Sequence, residues 1–385
     1  SDVREAQQAL VPMMTAFRSG IMSDPVLRDV VKRASRQPWV QELSPGKRLY
    51  VQELLEYFDE SADLTPEMQQ CRQEFAAEHT QLQRLFDRNV INSPSQWYYE
   101  AKSLDELAGM PEAWIQRVAA GGTRNGHLML TLGMAYDILR YCTVESTRKI
   151  FKEGLDTIGN IPDFDNAPVI QRILQLRVAL AQLAGYKNYA DKICAKRMLN
   201  TGDMALAFVD DLMTKLRPAY DRENKELLDY ISECKGEPQT AVTPWDYDFY
   251  RDQLARRKNA FDEESVRPYL RSDNVLHGMF NAASKLYGIS ITEVPSACVR
   301  PSETCPEGKV EVWHPSVKVF KVTDNQTGAH LGSFYLDPYP RYGKQWGAWT
   351  QAMRPGRPGK DGAPHEPHLV VLSANFNPPT TRRGY

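Results

Sequence analysis

The sequence predicts a mainly α protein, with a multi-helical scaffold over residues 1–287 and a small β-sheet region over residues 288–385. Two observations predict this division. From residue 3 to about residue 287, apolar residues recur at helical spacing between recognisable start and stop signals. From Ile289 onward the apolar period changes to about two residues, which is typical of strands that bury one face.

The first helices are predicted from their N-terminal residues. Ser44-Pro45 and Thr65-Pro66 each place a capping hydroxyl directly before a proline, the order favoured at a helix start. Ser103 with Glu106 has the form of a capping box, and Gly109-Met110-Pro111 then ends that helix early. We therefore expect helices that begin close to these three positions.

The segment Pro168–Leu183 carries the clearest helical pattern. One face is apolar, and Gly185 follows at the position where a left-handed residue ends many helices. The apolar face consists of Val169, Ile173, Leu176, Leu180 and Leu183. This pattern predicts a buried helix of the scaffold.

Four further helices complete the helical part. Two are predicted over Met204–Leu216 and Tyr220–Cys234, because Pro218 lacks the N–H that a helix interior requires and should separate them. Thr243-Pro244-Trp245-Asp246 should open the next, with the acid near the positive helix end. Asn274–Tyr287 is the last, and it ends at a glycine.

The region after residue 287 should form a small mixed or antiparallel sheet. Polar and apolar residues alternate over Ile289–Val294 and between Val310 and Val322. A turn at Asp324–Gly328 should lead to a returning strand. The remaining strands are predicted over His330–Asp337, Trp346–Trp349 and Leu369–Ala374, with a proline- and glycine-rich loop over Arg354–His368.

Composition excludes several classes of function. Lys and Arg total 47 and Asp and Glu total 49, so a net charge of −2 offers no general attraction for nucleic acid. Neither a signal-like start nor an apolar run of membrane-spanning length is present, and the six cysteines follow no disulfide framework. We therefore expect a cytoplasmic protein that binds neither nucleic acid nor membranes.

The sequence contains few motifs that indicate catalysis. Phosphate-binding, dinucleotide-binding and nucleophile-elbow motifs are absent. His365-Glu366-Pro367-His368 is one residue short of a helical zinc motif and contains a proline, so we interpret it as loop. His314 is interpreted as a histidine that hydrogen-bonds where a strand meets a turn. No residue is therefore predicted to ligate a metal.

Several separate segments carry a likeness to a known family, and they include Leu107–Pro111, Leu183–Ala190, Trp245–Tyr250, Phe261–Tyr269, Leu286–Ile289, Val312–Val317, Gly332–Tyr339 and Asn375–Pro379. In their order and spacing they resemble the thimet oligopeptidase, oligopeptidase A and dipeptidyl carboxypeptidase family of zinc metallopeptidases, in the portion upstream of its zinc-binding helix. The likeness covers nearly the whole chain.

The resemblance implies a helical, two-lobed channel peptidase in which zinc polarises the scissile carbonyl of a short peptide. In the family, the glutamate of a His-Glu-x-x-His helix acts as general base. This chain stops at Tyr385, before that helix. We therefore carry over no catalytic residue, and we expect no bound zinc and no activity from this chain alone.

A substrate-binding element is the one feature that we carry over from the resemblance. Zinc peptidases of this kind hold the peptide as an added strand on a sheet edge shortly before the zinc helix. By position, the element here runs from Val371 through Leu372, Ser373, Ala374, Asn375 and Phe376. The alternative is an ordinary strand with no substrate to hold.

Three functions stay open at this point. The chain is a segment of a zinc oligopeptidase, which acts on short peptides and is completed by a C-terminal catalytic portion. Alternatively, it is a non-catalytic helical module that binds peptides or a protein partner, or one half of a split peptidase. A segment should expose an apolar face and self-associate, whereas an evolved module should be monodisperse.

Overall fold

The computed structural model describes residues 24–59, 64–120, 123–124, 126–259, 263–299, 303–341, 347–357 and 365–376, together with Leu10, Met13, Met14, Phe17, Gly20, Ile21, Lys344 and Gly359. Contacts within the chain define two compact units, residues 1–109 with 129–251 and residues 110–128 with 252–385. The predicted division into domains 1–287 and 288–385 stays a prediction. No helix within the described ranges combines the length and the apolar character that a membrane crossing needs.

The fold is mainly α with a small mixed sheet, as predicted. The helices in the described ranges are α1 (Pro25–Ser35), α2 (Trp39–Glu42), α3 (Pro45–Asp59), α4 (Pro66–Asn92), α5 (Glu112–Ala120), α6 (Ala135–Tyr141), α7 (Glu145–Asp156), α8 (Ala167–Leu183), α9 (Tyr189–Cys194), α10 (Gly202–Lys235), α11 (Tyr247–Asn259), α12 (Glu263–Val266) and α13 (Ser272–Tyr287). The strands are β1 (Tyr98–Ala101), β2 (Thr123–Arg124), β3 (His127–Thr131), β4 (Ile289–Val294), β5 (Ser296–Cys298), β6 (Val310–Val312), β7 (Lys318–Asp324), β8 (His330–Asp337), β9 (Trp349–Arg354) and β10 (His368–Ser373).

The helix starts at Pro45 and Pro66 are confirmed, but the capping box at Ser103 is wrong. The Thr65 hydroxyl accepts the Met68 N–H at 3.3 Å, at the start of α4. Ser103 makes no capping hydrogen bond, and Leu104–Leu107 forms one 3-10 turn. The carboxylate of Glu106 accepts the Tyr99 hydroxyl at 2.6 Å and the Lys102 N–H at 3.4 Å instead.

The first unit is built around the pair formed by α4 and α8. Helix α8 buries Val169, Ile173, Leu176 and Leu180, the residues predicted to face the core, and Gly185 takes a left-handed φ of 77° after its end. The Asn89 amide donates to Asn166 Oδ1 at 2.9 Å, and the Arg172 guanidinium bonds both carboxylate oxygens of Glu78. Apolar packing and these polar contacts together hold the two helices against each other.

The predicted break at Pro218 is wrong, because α10 runs without interruption from Gly202 to Lys235. Pro218 and Thr214 are both exposed, so water can satisfy the carbonyl that loses its N–H partner. Ion pairs one turn apart, Lys215 with Asp211 at 2.7 Å and Arg217 with Asp221 at 2.8 Å, favour the helix on both sides of the proline.

The second unit contains a five-stranded mixed sheet in the order β4-β7-β8-β10-β9. Strands β4, β7 and β8 pair antiparallel, β10 pairs parallel with β8, and β9 pairs antiparallel with β10. Phe280 of α13 packs on one face against Phe320 and Phe334, at ring distances of 5.0 and 6.1 Å. On the other face lies a buried cluster of Val312, Val317 and Val319.

The predicted strands Ile289–Val294 and His330–Asp337 are confirmed as β4 and β8. The strand predicted over Trp346–Trp349 is wrong in its position, because β9 runs from Trp349 to Arg354; Trp346 lies outside the described residues. The alternation between Val310 and Val322 is divided between β6 and β7.

Candidate functional site

The carboxyl ends of the parallel strands β8 and β10 form the candidate site. Asp337 ends β8, Ser373 ends β10, and the two residues lie side by side in the ladder. Trp349, the first residue of β9, is the partner of Ser373 on the other side. Because residues directly opposite each other share a face of the sheet, these three side chains form one row. In sheets with parallel strands, ligands commonly bind outside such carboxyl ends.

Asp337 is the centre of a buried charged cluster, which we call the Asp337 cluster and which also contains Trp313, Arg341 and Lys344. Asp337 is only 4% exposed. Both guanidinium nitrogens of Arg341 donate to its carboxylate at 2.7 Å, and the Trp313 indole and the Lys344 ammonium donate at 3.0 and 3.1 Å. Burial alone raises the pKa of Asp337, but these hydrogen bonds outweigh it and bring the pKa to about 2. With two cations and one anion, the cluster has a net positive charge.

Lys344 joins the chain segments that leave the two strands. Besides the carboxylate, its ammonium donates to the carbonyl oxygens of Asp337 at 2.8 Å, Tyr339 at 2.9 Å and Ala374 at 2.7 Å. The Lys344 side chain is 5% exposed. Burial of a lysine this deep is rare unless its charge is compensated, which the four oxygens around it achieve.

Two polar atoms in the row have no hydrogen-bond partner. The Ser373 hydroxyl and the Trp349 indole N–H are both buried and unsatisfied. A buried donor without a partner costs about 1–3 kcal/mol relative to a satisfied one. Together with the net positive charge of the Asp337 cluster, these two donors suit an oxygen acceptor such as a peptide carbonyl or a carboxylate.

The predicted substrate-binding residues lie at this end of the sheet, but their strand is not an edge. Leu372 and Ser373 belong to β10, which pairs with β8 on one side and with β9 on the other. The Ala374 N–H donates to the Asp337 carbonyl and the Phe376 N–H to the Pro338 carbonyl, both at 2.9 Å. The expectation of an open edge is therefore wrong for Val371–Ser373, because the β9–β10 hairpin places β9 outside β10, whereas Ala374–Phe376 lie past the last β9 pairing.

Strand β9 is the sheet edge beside the site. Residues 350–354 are all exposed, and Met353 has 57% of its surface accessible. The side chains of Asn375 and Phe376 are exposed as well. Strand β4 forms the opposite edge, and there α13 packs against the sheet. The edge formed by β9 is thus the more accessible of the two.

The histidines considered in the sequence do not form a metal site. His368 is in β10, and its Nδ1 accepts the Gly356 N–H at 2.8 Å. The rings of His365 and His368 lie 6.1 Å apart. His314 contacts the Ser316 hydroxyl through Nδ1 at 2.7 Å, within a turn. Across the described ranges, no group of three His, Cys, Asp or Glu side chains is arranged to hold a metal ion.

A second buried ion pair lies in the first unit and has a structural role. Arg148 and Asp246 are 1% and 2% exposed, and their side chains approach to 2.5 Å. The helix predicted to start at Pro244 starts at Tyr247, so Asp246 directly precedes α11 and lies at its N-terminal end, where the sequence predicted an acid. Lys235 also donates to Asp246 at 2.9 Å. Burial alone raises the pKa of Asp246, and the bonds from the two cations reverse this and lower it.

Sequence reasoning missed the charged residues of the Asp337 cluster. Asp337 stood in the segment that carried the resemblance, but its chemistry was not singled out. The available signal was the spacing of Asp337, Arg341 and Lys344, which places two cations within seven residues of an acid at the end of a strand. Spacing alone could not show that Asp337 and Lys344 would be buried and Arg341 half-buried.

Comparison with known protein families identifies the family of this chain. The family model described as "Peptidase family M3" matches residues 138–383, and the chain belongs to this family. The chain is 27% identical to "Oligopeptidase A" of Salmonella typhimurium over 98% of its own length and 55% of that protein. It is 28% identical to "Probable thimet oligopeptidase" of Arabidopsis thaliana, over 79% of this chain and 40% of that protein.

A third relative covers less of the chain at a higher identity. "Dipeptidyl carboxypeptidase" of Salmonella typhimurium is 31% identical over 48% of this chain and 25% of that protein. The chain spans about half the length of the oligopeptidase A relatives that it matches. These matches confirm the family resemblance given by the sequence.

Proposed function

We propose that this chain is the helical scaffold and upstream sheet of a zinc-dependent oligopeptidase that hydrolyses short peptides in the cytoplasm. The observation that carries the proposal is the family match over residues 138–383. The names of the relatives, oligopeptidase and dipeptidyl carboxypeptidase, support short peptides as the substrate class.

The peptide is proposed to bind as an added strand on β9. An edge strand presents unpaired backbone groups, and an extended peptide of about six residues would span the six residues of β9. Asn375 and Phe376 extend past the last β9 pairing at Ser373 and would contact the peptide through their side chains. Leu372 and Ser373 would act from behind β9, by holding it in place, and Ala374 would position Asn375 and Phe376 through its hydrogen bond to Asp337.

Zinc does not fit the donor groups of the described residues, since none of them converge in a set of three. We therefore assign no step of hydrolysis to this chain and propose that zinc is held by residues outside the described ranges. On this proposal the chain alone is inactive. Zinc content after gel filtration and cleavage of quenched fluorescent peptides should both be at background. A homogeneous sample that holds one zinc per chain and cleaves peptides would contradict this.

Exposed apolar residues favour a segment of a larger fold over a free-standing module. Helix α10 exposes Leu206, Met213 and Leu216, which share one face of the helix, at 61%, 64% and 61%. A monomer that had evolved to stand alone would seldom leave such a row uncovered. Sedimentation velocity should show self-association that increases with concentration, whereas a monodisperse monomer would favour the module.

The strand-addition proposal is tested by amide hydrogen exchange with and without peptide. Peptide should slow exchange of the outward-facing amides of Trp349–Arg354, while Ile289–Val294, the other edge, serves as the internal control. A series of peptides methylated at one backbone nitrogen each should lose affinity at every second position, since alternate peptide amides face β9. Equal loss at all positions, or protection of β4 instead, would exclude strand addition on β9.

A further inference from the structure

We propose that Lys344 is a positioning residue for peptide binding, because its ammonium fixes the segment Ala374–Phe376 beside the end of β8. This inference rests on the proposed function, since the segment matters for catalysis only if it contacts a peptide. It assigns a role to a buried lysine that the peptide itself does not touch.

The position of Lys344 marks where regular pairing stops. The β8–β10 ladder ends with Asp337 opposite Ser373, and the β9–β10 ladder ends at the same residue of β10. Directly after this point the Ala374 carbonyl accepts from the Lys344 ammonium at 2.7 Å. The ammonium therefore connects the segments that follow β8 and β10, at the point where the strands are no longer paired.

The other contacts of Lys344 flank Pro338, the residue to which the segment is hydrogen-bonded through Phe376. The ammonium also bonds the carbonyls of Asp337 and Tyr339, on either side of Pro338. Pro338 in turn accepts the Phe376 N–H at 2.9 Å. If the ammonium is removed, the chain after β8 loses two contacts and the chain after β10 loses one. Ala374 and Phe376 then keep only their two hydrogen bonds to Asp337 and Pro338, and this segment has itself lost its contacts with Lys344.

Other members of the Asp337 cluster do not provide this link. The bonds of Arg341 and Trp313 within the cluster go to the Asp337 carboxylate. Lys344, by contrast, bonds the β8 exit and the β10 exit at once. Asp337→Asn removes the anion but leaves the three carbonyl contacts of Lys344 possible, whereas Lys344→Met removes them and retains an apolar chain of similar length. These two variants separate the charge of the cluster from the position of the segment.

The test measures amide exchange and peptide affinity in parallel. Lys344→Met should raise exchange of the Ala374 and Phe376 amides by about tenfold or more relative to Val371, since three charged hydrogen bonds are lost. The dissociation constant for a fluorescent extended hexapeptide should rise by a similar factor. Asp337→Asn should have a smaller effect on both. Lys318→Met, which removes a half-exposed lysine from β7, should change neither.

A variant that loses a buried cation in the first unit separates the positioning role of Lys344 from a general loss of stability. Arg148→Met removes a buried cation from a buried carboxylate in the first unit. At a temperature where all variants are folded, it should leave peptide affinity unchanged. Equal weakening by Arg148→Met and Lys344→Met, or a uniform rise of exchange over the second unit, would overturn the proposal.

If Lys344→Met fails to fold, amide exchange of the unsubstituted chain tests the inference instead. Its Ala374 and Phe376 amides should exchange as slowly as the amide of Val371 inside β10, and exchange at the rate of an open loop would overturn the inference. If the unsubstituted chain binds no peptide at all, strand addition has failed. The exchange data then still decide whether Lys344 fixes the segment.

Discussion

Protonation of Asp337 should destabilise the second unit at acid pH. The carboxylate has a pKa of about 2 in the folded protein, against an ordinary value of 3.8. Because the folded pKa is the lower one, the stabilisation is fully present above the unfolded pKa and is lost as the pH falls through the folded pKa. The expected window therefore extends from about pH 4 down to about pH 2.

The size of the effect follows from the difference between the two pKa values. A shift of one pKa unit corresponds to about 1.4 kcal/mol, so the ionised carboxylate contributes about 2 kcal/mol to the free energy of unfolding at neutral pH. Titration of both states reduces this contribution to about 1 kcal/mol at pH 3 and to well under about 1 kcal/mol at pH 2. The contribution is not lost to solvent screening, because the Asp337 side chain is 5% exposed.

Urea unfolding from pH 6 to pH 2 measures this contribution when the unsubstituted chain is compared with Asp337→Asn. The variant should be less stable at pH 6, since the buried Lys344 and the half-buried Arg341 lose their anion, and the difference should shrink by about 2 kcal/mol toward pH 2. Asp156→Asn, at an exposed carboxylate of α7, controls for the general loss of one charge. A carbon-13 titration of the Asp337 carboxyl should give a midpoint near pH 2. A midpoint near 4, with a difference in stability that does not change with pH, would refute the reasoning.

Two further predictions concern the first unit. Arg148→Met should destabilise it by about 3–5 kcal/mol in urea unfolding at neutral pH, because Asp246 stays buried without its closest cation. Arg251→Met, at a half-exposed pair, should cost less than about 1 kcal/mol, and equal costs would contradict the burial argument. Gly109→Ala should cost about 3 kcal/mol or more, because φ is +87° and a Cβ would lie 2.6 Å from the Tyr141 carbonyl oxygen. Gly236→Ala has a similar φ but open space around it, so it should cost only about 1 kcal/mol, and a larger loss there would show that φ rather than crowding decides.

Local signals in the sequence predicted much of the fold. Thr65 with Pro66 and the apolar face of residues 169–180 depend on neighbours within a turn or two, and α4 and α8 follow them. Pro218 shows the limit of the same reasoning. A helix tolerates a proline more readily where the freed carbonyl can reach water, and exposure at that position is a tertiary property.

The candidate site depended on information that a sequence does not carry. The segment Leu372–Phe376 was placed at the correct end of the sheet, but strand order decides which strand is the edge. The hairpin from Arg354 to His368 puts β9 outside β10, and no residue in either strand specifies that order. Similarly, the spacing of Asp337, Arg341 and Lys344 is visible in the sequence, whereas their burial depends on contacts with Trp313 and Ala374.

The parallel pairing of β8 with β10 also determines how the sheet assembles. Strands β7 and β8 are joined by the short turn 325–329, and β9 and β10 form a second hairpin, so each pair can form from nearby residues. The ladder between β8 and β10 joins Gly332 to His368, which are 368 − 332 = 36 positions apart. Closing this longer loop costs more chain entropy and should come later in folding. The sheet therefore becomes continuous only when two preformed hairpins meet, and the buried charges at Asp337 come together at that junction.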